Sequence, residues 1–303
     1  WAMDLSGNVL SSDHAAFERI GDRDGIMNFL TDAMRRFCSR FSQDSQRRLL
    51  GAGMSFSGDV ADFDEVYSKL YGMNGYAMSS ALTRALGIDV WVDDISHNAA
   101  RLEQWLSPTV GGMVYLQVLP VVMATQLCDG QIRRGLFGGA GNVANMLWNE
   151  SGRMRFLGDV IENDIFELDT QMEPGEVQFA RLMGERIELL NQPDFFLPRM
   201  ERLCKILAFA ITNITALVAP EKLIIGGVPD YCADEFLALL RKKCDETPSS
   251  KHSFRTFDLA LADAGENHAA RAALCLYWEQ ILEKIIRADG SVQNEEIKDY
   301  EGA

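Results

Sequence analysis

Strand-like apolar runs alternate with helical patterns along this chain, and the alternation limits the folds it can adopt. Residues 22–41 repeat apolar side chains at helical spacing and lead into a strand-like run at 49–56. A second helical pattern at 76–86 leads into a run at 88–92, and a further helix is predicted at 96–106. Such alternation is typical of a layered α/β fold.

The second half repeats this organisation after Gly111 and Gly112, which indicate a domain junction. Its predicted strands are 113–118, 121–128, 223–227 and 257–261, and its predicted helices are 182–190, 197–218, 232–243 and 268–286. Residues 197–218 are too apolar for an isolated surface helix, so we expect buried or intersubunit packing there. A homodimer is predicted on that basis.

Length and charge limit the function. A chain of 303 residues is long enough for two domains, and no apolar run reaches membrane-spanning length. The formal charge of −15 opposes binding of this chain to a DNA backbone. Because the six cysteines include no Cys-x-x-Cys pair, we expect reduced thiols in a cytoplasmic protein. Trp1 is not a natural start, so further sequence is expected upstream.

Several segments carry a family resemblance. Residues 220–227 read Pro-Glu-Lys-Leu-Ile-Ile-Gly-Gly, and residues 115–130 have the form of a phosphate-binding hairpin ending in Asp-Gly. Residues 50–60, 92–103 and 135–146 add a strand and turn, an Asp-Asp helix start and a glycine-rich stretch. In this order, they resemble the ROK family of repressors, uncharacterised reading frames and sugar kinases.

The resemblance implies an actin-like, RNase H-like ATPase fold, with two α/β domains and a cleft between them. Residues 1–110 would form the first domain, completed by the helix at 268–286. Residues 111–267 would form the second domain and carry the oligomerisation helices, and 287–303 would be a polar tail.

The phosphate-binding glycines of the family are missing from the hairpin. On a gapless match they become Leu119, Val121, Met123 and Thr125. Side chains block close backbone approach to a phosphate, and Pro120 removes one N–H donor. We therefore expect neither ATP nor another cofactor to bind.

The family's general base, an Asp that accepts the sugar hydroxyl proton, falls on Ile95, which cannot accept a proton. A local slip could bring Asp94 nearer that position, but it would break the match at Glu103. Otherwise, Asp93 and Asp94 are expected to form a strand-end turn with one carboxylate in solvent.

The family's sugar-binding Asn, Glu and His fall on Asp94, Asn142 and Asn145. Asn142 and Asn145 are one helical turn apart and could face a cleft, so a modified sugar site of Asp93, Asp94, Asn142 and Asn145 is one prediction. The alternative is that Asn142 caps a helix and Asn145 is solvated.

No structural zinc is expected, because Asn145 replaces the family's His ligand and no cysteine lies between Cys128 and Cys204. A metal site of His97 and Asp94 is the less favoured alternative to an ordinary helix-start histidine. Gly226 and Gly227, which would touch adenine in an active relative, are expected only to end a strand.

The sequence therefore favours the effector-binding and dimerisation region of a sugar-responsive ROK transcriptional regulator, without catalytic residues. Its partners would be further copies of the chain in a homodimer or tetramer, a sugar or sugar-phosphate effector, and DNA only through an upstream domain. The alternatives are a sugar kinase with displaced catalytic residues and a non-catalytic sugar-binding module.

Overall fold

The computed structural model describes residues 1–15, 22–68, 71–118, 122–166, 188–247, 257–263 and 267–288. Some predictions lie outside these described residues, namely the hairpin turn at 119–121, the helix start at 182–187, the loop at 248–251 and the tail from 289. No described helix has both the length and the apolar character needed to cross a membrane.

The described helices are α1 Arg23–Cys38, α2 Gln43–Arg47, α3 Met78–Leu86, α4 Ile95–Leu106, α5 Leu157–Asp164, α6 Pro193–Val218, α7 Ala233–Glu246 and α8 His268–Ala288. The strands are β1 Ala2–Met3, β2 Val9–Ser11, β3 Gly51–Phe56, β4 Asp59–Ala61, β5 Glu65–Ser68, β6 Met73–Ala77, β7 Asp89–Asp94, β8 Met113–Gln117, β9 Met123–Cys128, β10 Gln131–Ile132, β11 Leu147–Glu150, β12 Arg153–Phe156, β13 Lys222–Gly226 and β14 Asp258–Leu261.

A five-stranded mixed sheet dominates the second half, in the order β10-β9-β8-β13-β14. β13 runs parallel to both β8 and β14, whereas β9 runs antiparallel to β8 and β10. The largest apolar core joins this sheet to α5, α6 and α7. α6 places residues such as Leu203, Ile206 and Leu207 in that core, so packing within the chain accounts for much of its apolar composition.

The first half is built on the parallel pair β3–β7 and the antiparallel sheet β4–β5–β6. A second apolar core, which includes Val60, Val66 and Val92, joins these strands to α1 and α3. Because β7 runs parallel to β3, its carboxyl end lies beside the end of β3, and α4 starts there.

The last described helix, α8, packs on α4 and on β3 in the first half of the chain. Lys284 of α8 reaches Asp89 of β7 at 2.6 Å, and the Arg101 side chain of α4 contacts Glu279 of α8. The division of the chain into two domains remains a prediction. The contacts of α8 agree with the expectation that this helix packs on the first half of the chain.

The strand-helix alternation predicted from sequence is confirmed, with element ends shifted by up to a few residues. Two antiparallel units had no predicted counterpart, the β4–β5–β6 sheet and the β11–β12 hairpin. Their strands are three to five residues long, too short for a clear alternating pattern.

Candidate functional site

Asp93 and Asp94 end β7 and lead directly into α4. Asp94 caps the helix, because its Oδ1 accepts the backbone N–H groups of Ser96 at 2.7 Å and His97 at 3.3 Å. Such a cap satisfies donors that the first helical turn leaves free. Both aspartate side chains are buried, at 0% and 1% exposure, so the prediction of one carboxylate in solvent was wrong.

Two arginines and a histidine contact the Asp93 carboxylate. Arg134 donates from Nη1 to Oδ1 at 2.7 Å and from Nη2 to Oδ2 at 2.6 Å. Arg101 Nη1 lies 2.6 Å from Oδ2, and His97 Nδ1 lies 2.9 Å from Oδ1. Burial alone would raise the pKa of Asp93, but the Arg101 charge and the hydrogen bonds from Arg134 and His97 hold this pKa well below its usual range. Asp93 is therefore an ionised, fully engaged carboxylate.

The two guanidinium groups are anchored on different parts of the fold. Arg101 is 4% exposed, pairs with Glu279 of α8 and donates to Asn98 Oδ1 at 2.9 Å. Arg134 follows β10, and its guanidinium carbon lies 4.1 Å from the centre of the Phe63 ring. The charged network thus joins the end of β7, helix α4, helix α8 and the segment after β10.

Asp94 differs from Asp93 in having one oxygen, Oδ2, that is buried without a hydrogen-bond partner among the described residues. Burial raises the pKa of Asp94, although the His97 charge and the hydrogen bonds of Ser96 act against the rise. Burial and the Asp94 carboxyl group also raise the pKa of Asp59 on β4, and β4 packs on β7. Asp94 Oδ2 is therefore a buried acceptor that a ligand hydroxyl could use.

The start of α4 is also joined to the five-stranded sheet. Ser96 Oγ lies 2.9 Å from Thr125 Oγ1 on β9, and Thr125 is 1% exposed. Thr125 holds a position where the resemblance places a phosphate-binding glycine. A buried hydroxyl bonded within the protein takes up that position here.

Asn142 precedes and Asn145 ends a single 3-10 turn, Val143–Asn145, which is found in place of the predicted short helix. Asn142 holds the N-cap position of this turn, but its side chain makes no capping hydrogen bond with the described residues. The capping part of the alternative interpretation was therefore wrong, whereas the exposure of Asn145 agrees with it. Both side chains are exposed. The described contacts of Asp93 and Asp94 are with residues other than Asn142 and Asn145. The grouping of all four residues into one ligand site therefore remains a prediction.

A cleft of about 310 Å³ lies at the carboxyl ends of β8 and β13. Its lining includes Ile95, Gln117, Gly227 and His268, and Ile95 is 46% exposed. Gly226 ends β13 beneath Tyr115, whose hydroxyl would lie 1.9 Å from a Cβ added at this glycine. The glycine therefore permits close packing of Tyr115, a role that needs no adenine.

Sequence reasoning missed Arg101, Arg134 and Asp59 as members of the site. One signal was available, because His97 and Arg101 are four residues apart on α4 and so share one face of the helix, and Asp93 lies four residues before His97 at the end of β7. Arg134 and Asp59 approach only through tertiary packing. Within the described stretches, no three His, Cys, Asp or Glu side chains are grouped to hold a metal ion, and His97 instead contacts Asp93.

The fold is that of the actin-like ATPase class of α/β proteins, as predicted from the sequence. Neither a protein-family model nor a curated protein matches the chain. Similar solved structures are ROK-family proteins. One is a ROK transcriptional regulator described as a homologue of the E. coli Mlc protein, with a TM-score of 0.68 and 18% identity over 94% of this chain and 77% of that one.

Two further structures have TM-scores of 0.64. A ROK protein from Streptococcus pneumoniae in complex with sucrose is 14% identical over 93% of this chain and 94% of its own. A ROK glucokinase from Streptomyces griseus in complex with glucose and AMPPNP is 16% identical over 90% of this chain and 93% of its own. The chain therefore has the fold of ROK proteins, which regulators and kinases share.

Proposed function

We propose that this chain is the effector-binding and dimerisation region of a divergent ROK-family transcriptional regulator, acting in the cytoplasm. It responds to a sugar or sugar phosphate and does not phosphorylate it. Because its formal charge is −15, the proposal assigns DNA binding to another domain of the full protein.

The observation that carries the proposal is the state of the carboxylates at the start of α4. The position of the family's base is Ile95, which lines the cleft with an apolar side chain. Asp93 is held by two arginines and a histidine, and its pKa lies far below the range in which a carboxylate accepts a proton well. This arrangement favours ligand binding without phosphoryl transfer.

The proposed ligand site combines Asp93, Asp94, Asn142 and Asn145. Asp94 Oδ2, which has no partner among the described residues, supplies an acceptor for a sugar hydroxyl, and the exposed asparagine amides supply both donors and acceptors. A polyhydroxylated ligand suits such a set, because each hydroxyl can donate and accept at once.

A thermal-shift titration tests ligand binding. Hexoses, N-acetylhexosamines and their 6-phosphates are titrated while the melting temperature is measured, and at least one should raise it saturably. Asn142→Ala and Asn145→Ala should weaken that response, whereas Asn28→Ala, at an exposed position on α1, should not. The ligand site is refuted if no compound shifts the melting temperature, or if all three variants respond like the unchanged protein.

A sugar kinase remains the second candidate, because one observation favours it. Asp94 is buried, its pKa is raised and one of its oxygens has no partner in the described part of the chain, which are properties of a general base. A kinase of this kind would form ADP only when sugar is present, and Asp94→Asn would abolish that turnover.

A gel-shift experiment on the full-length protein separates a regulator from a sugar-binding module without DNA contact. A regulator should bind an upstream region of its own operon and respond to the ligand found by thermal shift. Sedimentation of this chain tests the proposed homodimer or tetramer.

A further inference from the structure

The segment after β10 reaches across to the β4–β5–β6 sheet and closes over the end of β7. Arg134 makes two hydrogen bonds to Asp93, and its guanidinium lies over Phe63, between β4 and β5. Farther along, the 3-10 turn Leu136–Gly138 packs on β4, and the Phe137 ring lies 5.3 Å from the Tyr67 ring. Arg134 is thus the charged member of a contact between the two halves of the chain.

Arg101 and Arg134 both contact Asp93, but Arg101 is more deeply buried and has more additional partners. Arg101 lies on a helix, its side chain is 5% exposed, and it also contacts Glu279 and Asn98. The Arg134 side chain is 16% exposed and extends from an irregular segment. Its further polar contacts are long, at 3.4 Å to the Val60 carbonyl oxygen and 3.3 Å to His97 Nδ1. Arg134 can therefore leave while Asp93 keeps Arg101 and His97 as partners.

We propose that Arg134 is an internal ligand of Asp93 that closes the site, and that an incoming ligand displaces it. The planar guanidinium fork places two donors against the two carboxylate oxygens. Two neighbouring hydroxyls of a polyol can donate to the same two oxygens, so a polyol can take the place of the Arg134 guanidinium. Displacement would free the segment at 133–141 from the β4–β5–β6 sheet.

Closure can be measured without any ligand, by hydrogen exchange of backbone amides in Arg134→Gln. The Ala140 N–H, which donates to the Arg134 carbonyl oxygen at 2.9 Å, and the β4–β5 amides should exchange at least about fivefold faster, because local opening becomes easier. Amides of β13 should keep their rates, since they report opening of the central sheet. Arg133→Gln is the matched control, because Arg133 is exposed and lies 3.9 Å from Asp129.

Unchanged exchange at Ala140 and β4–β5 in Arg134→Gln would overturn the proposal. Equal acceleration at β13 would also overturn it, because Arg134 would then only stabilise the whole fold.

Displacement is tested separately and rests on the proposed function. For a sugar that raises the melting temperature, Arg134→Gln should bind at least about fivefold more tightly than Arg133→Gln, because binding no longer requires displacement. Equal or weaker binding by Arg134→Gln would refute displacement. If no sugar binds the unchanged protein, the proposed function fails, and the exchange experiment alone still decides whether Arg134 closes the site.

Discussion

Asp93 and Asp94 are consecutive residues at the end of β7, yet their carboxyl groups have opposite surroundings. The Asp93 carboxylate contacts the guanidinium groups of Arg101 and Arg134, whereas Asp94 Oδ2 has no partner among the described residues. The first carboxylate is stabilised in its charged form and the second is not. Asp93 thus stabilises the charged network, whereas Asp94 keeps one buried oxygen without a described partner.

Replacing Asp93 with Asn should strongly destabilise the fold. The variant leaves the buried Arg101 and the largely buried Arg134 without their shared counter-charge, and breaking a buried pair in this way costs about 3–5 kcal/mol. Urea unfolding measures the change. Asp89→Asn is the control, because Asp89 pairs with Lys284 at a half-exposed position and should matter little. Similar effects of the two variants would contradict the structural role of Asp93.

The stabilisation by Asp93 should depend on pH. Since its folded pKa is depressed, the contribution is fully present above its unfolded pKa of about 3.9 and is lost as the pH falls towards the folded value. The difference in unfolding free energy between the unchanged protein and Asp93→Asn should therefore shrink below about pH 4. A difference that stays constant from pH 7 to pH 3 would be inconsistent with the ion pairs.

Asp94→Asn should show the opposite dependence. The pKa of Asp94 is raised in the folded state, so the folded protein binds this proton more tightly than the unfolded chain does. The contribution of Asp94 to the free energy of unfolding is therefore lost as the pH rises through the folded pKa. Relative to Asp94→Asn, the unchanged protein should be less stable at pH 7 than at pH 4. The same urea series checks this, and a trend with the sign of Asp93 would mean that Asp94 is also paired.

Gly141→Ala should be more damaging than Gly152→Ala. Both glycines have a positive φ, +89° and +81°, so both variants carry a similar backbone strain. A Cβ at Gly141 would lie 1.7 Å from the Ala124 carbonyl oxygen, whereas one at Gly152 would meet no atom of the described residues within 4 Å. The extra loss at Gly141 should exceed about 2 kcal/mol in thermal or urea unfolding. Equal losses would show that the turn before Asn142 can move away from β9.

Much of the fold was predictable because its main elements have strong periodicity. The apolar run of β13 and the helical repeat of α4 are buried patterns of this kind, and their order carries the resemblance to ROK proteins. The short strands β4, β5 and β6 give no such signal, because their pairing is decided by neighbouring strands rather than by local sequence.

The candidate site was predictable only in part. The proposal that Ile95 stands where the resemblance places the family's base came from the sequence alone. The burial of Asp93 and its contact with Arg134 could not, because the two residues are 41 positions apart and meet only after the segment following β10 packs on the first half. The prediction of a solvent-facing carboxylate failed for this reason: local sequence does not reveal a distant counter-charge.

The central claim, a kinase fold used for binding without phosphoryl transfer, is tested most directly by one measurement. Transfer of labelled phosphate from ATP is followed with the sugar that raises the melting temperature most, for the unchanged protein and for Asp94→Asn. The account predicts sugar binding, with phosphate transfer no faster than in Asp94→Asn or in the absence of protein. Sugar-dependent transfer by the unchanged protein that Asp94→Asn abolishes would contradict it and establish a kinase with Asp94 as its base.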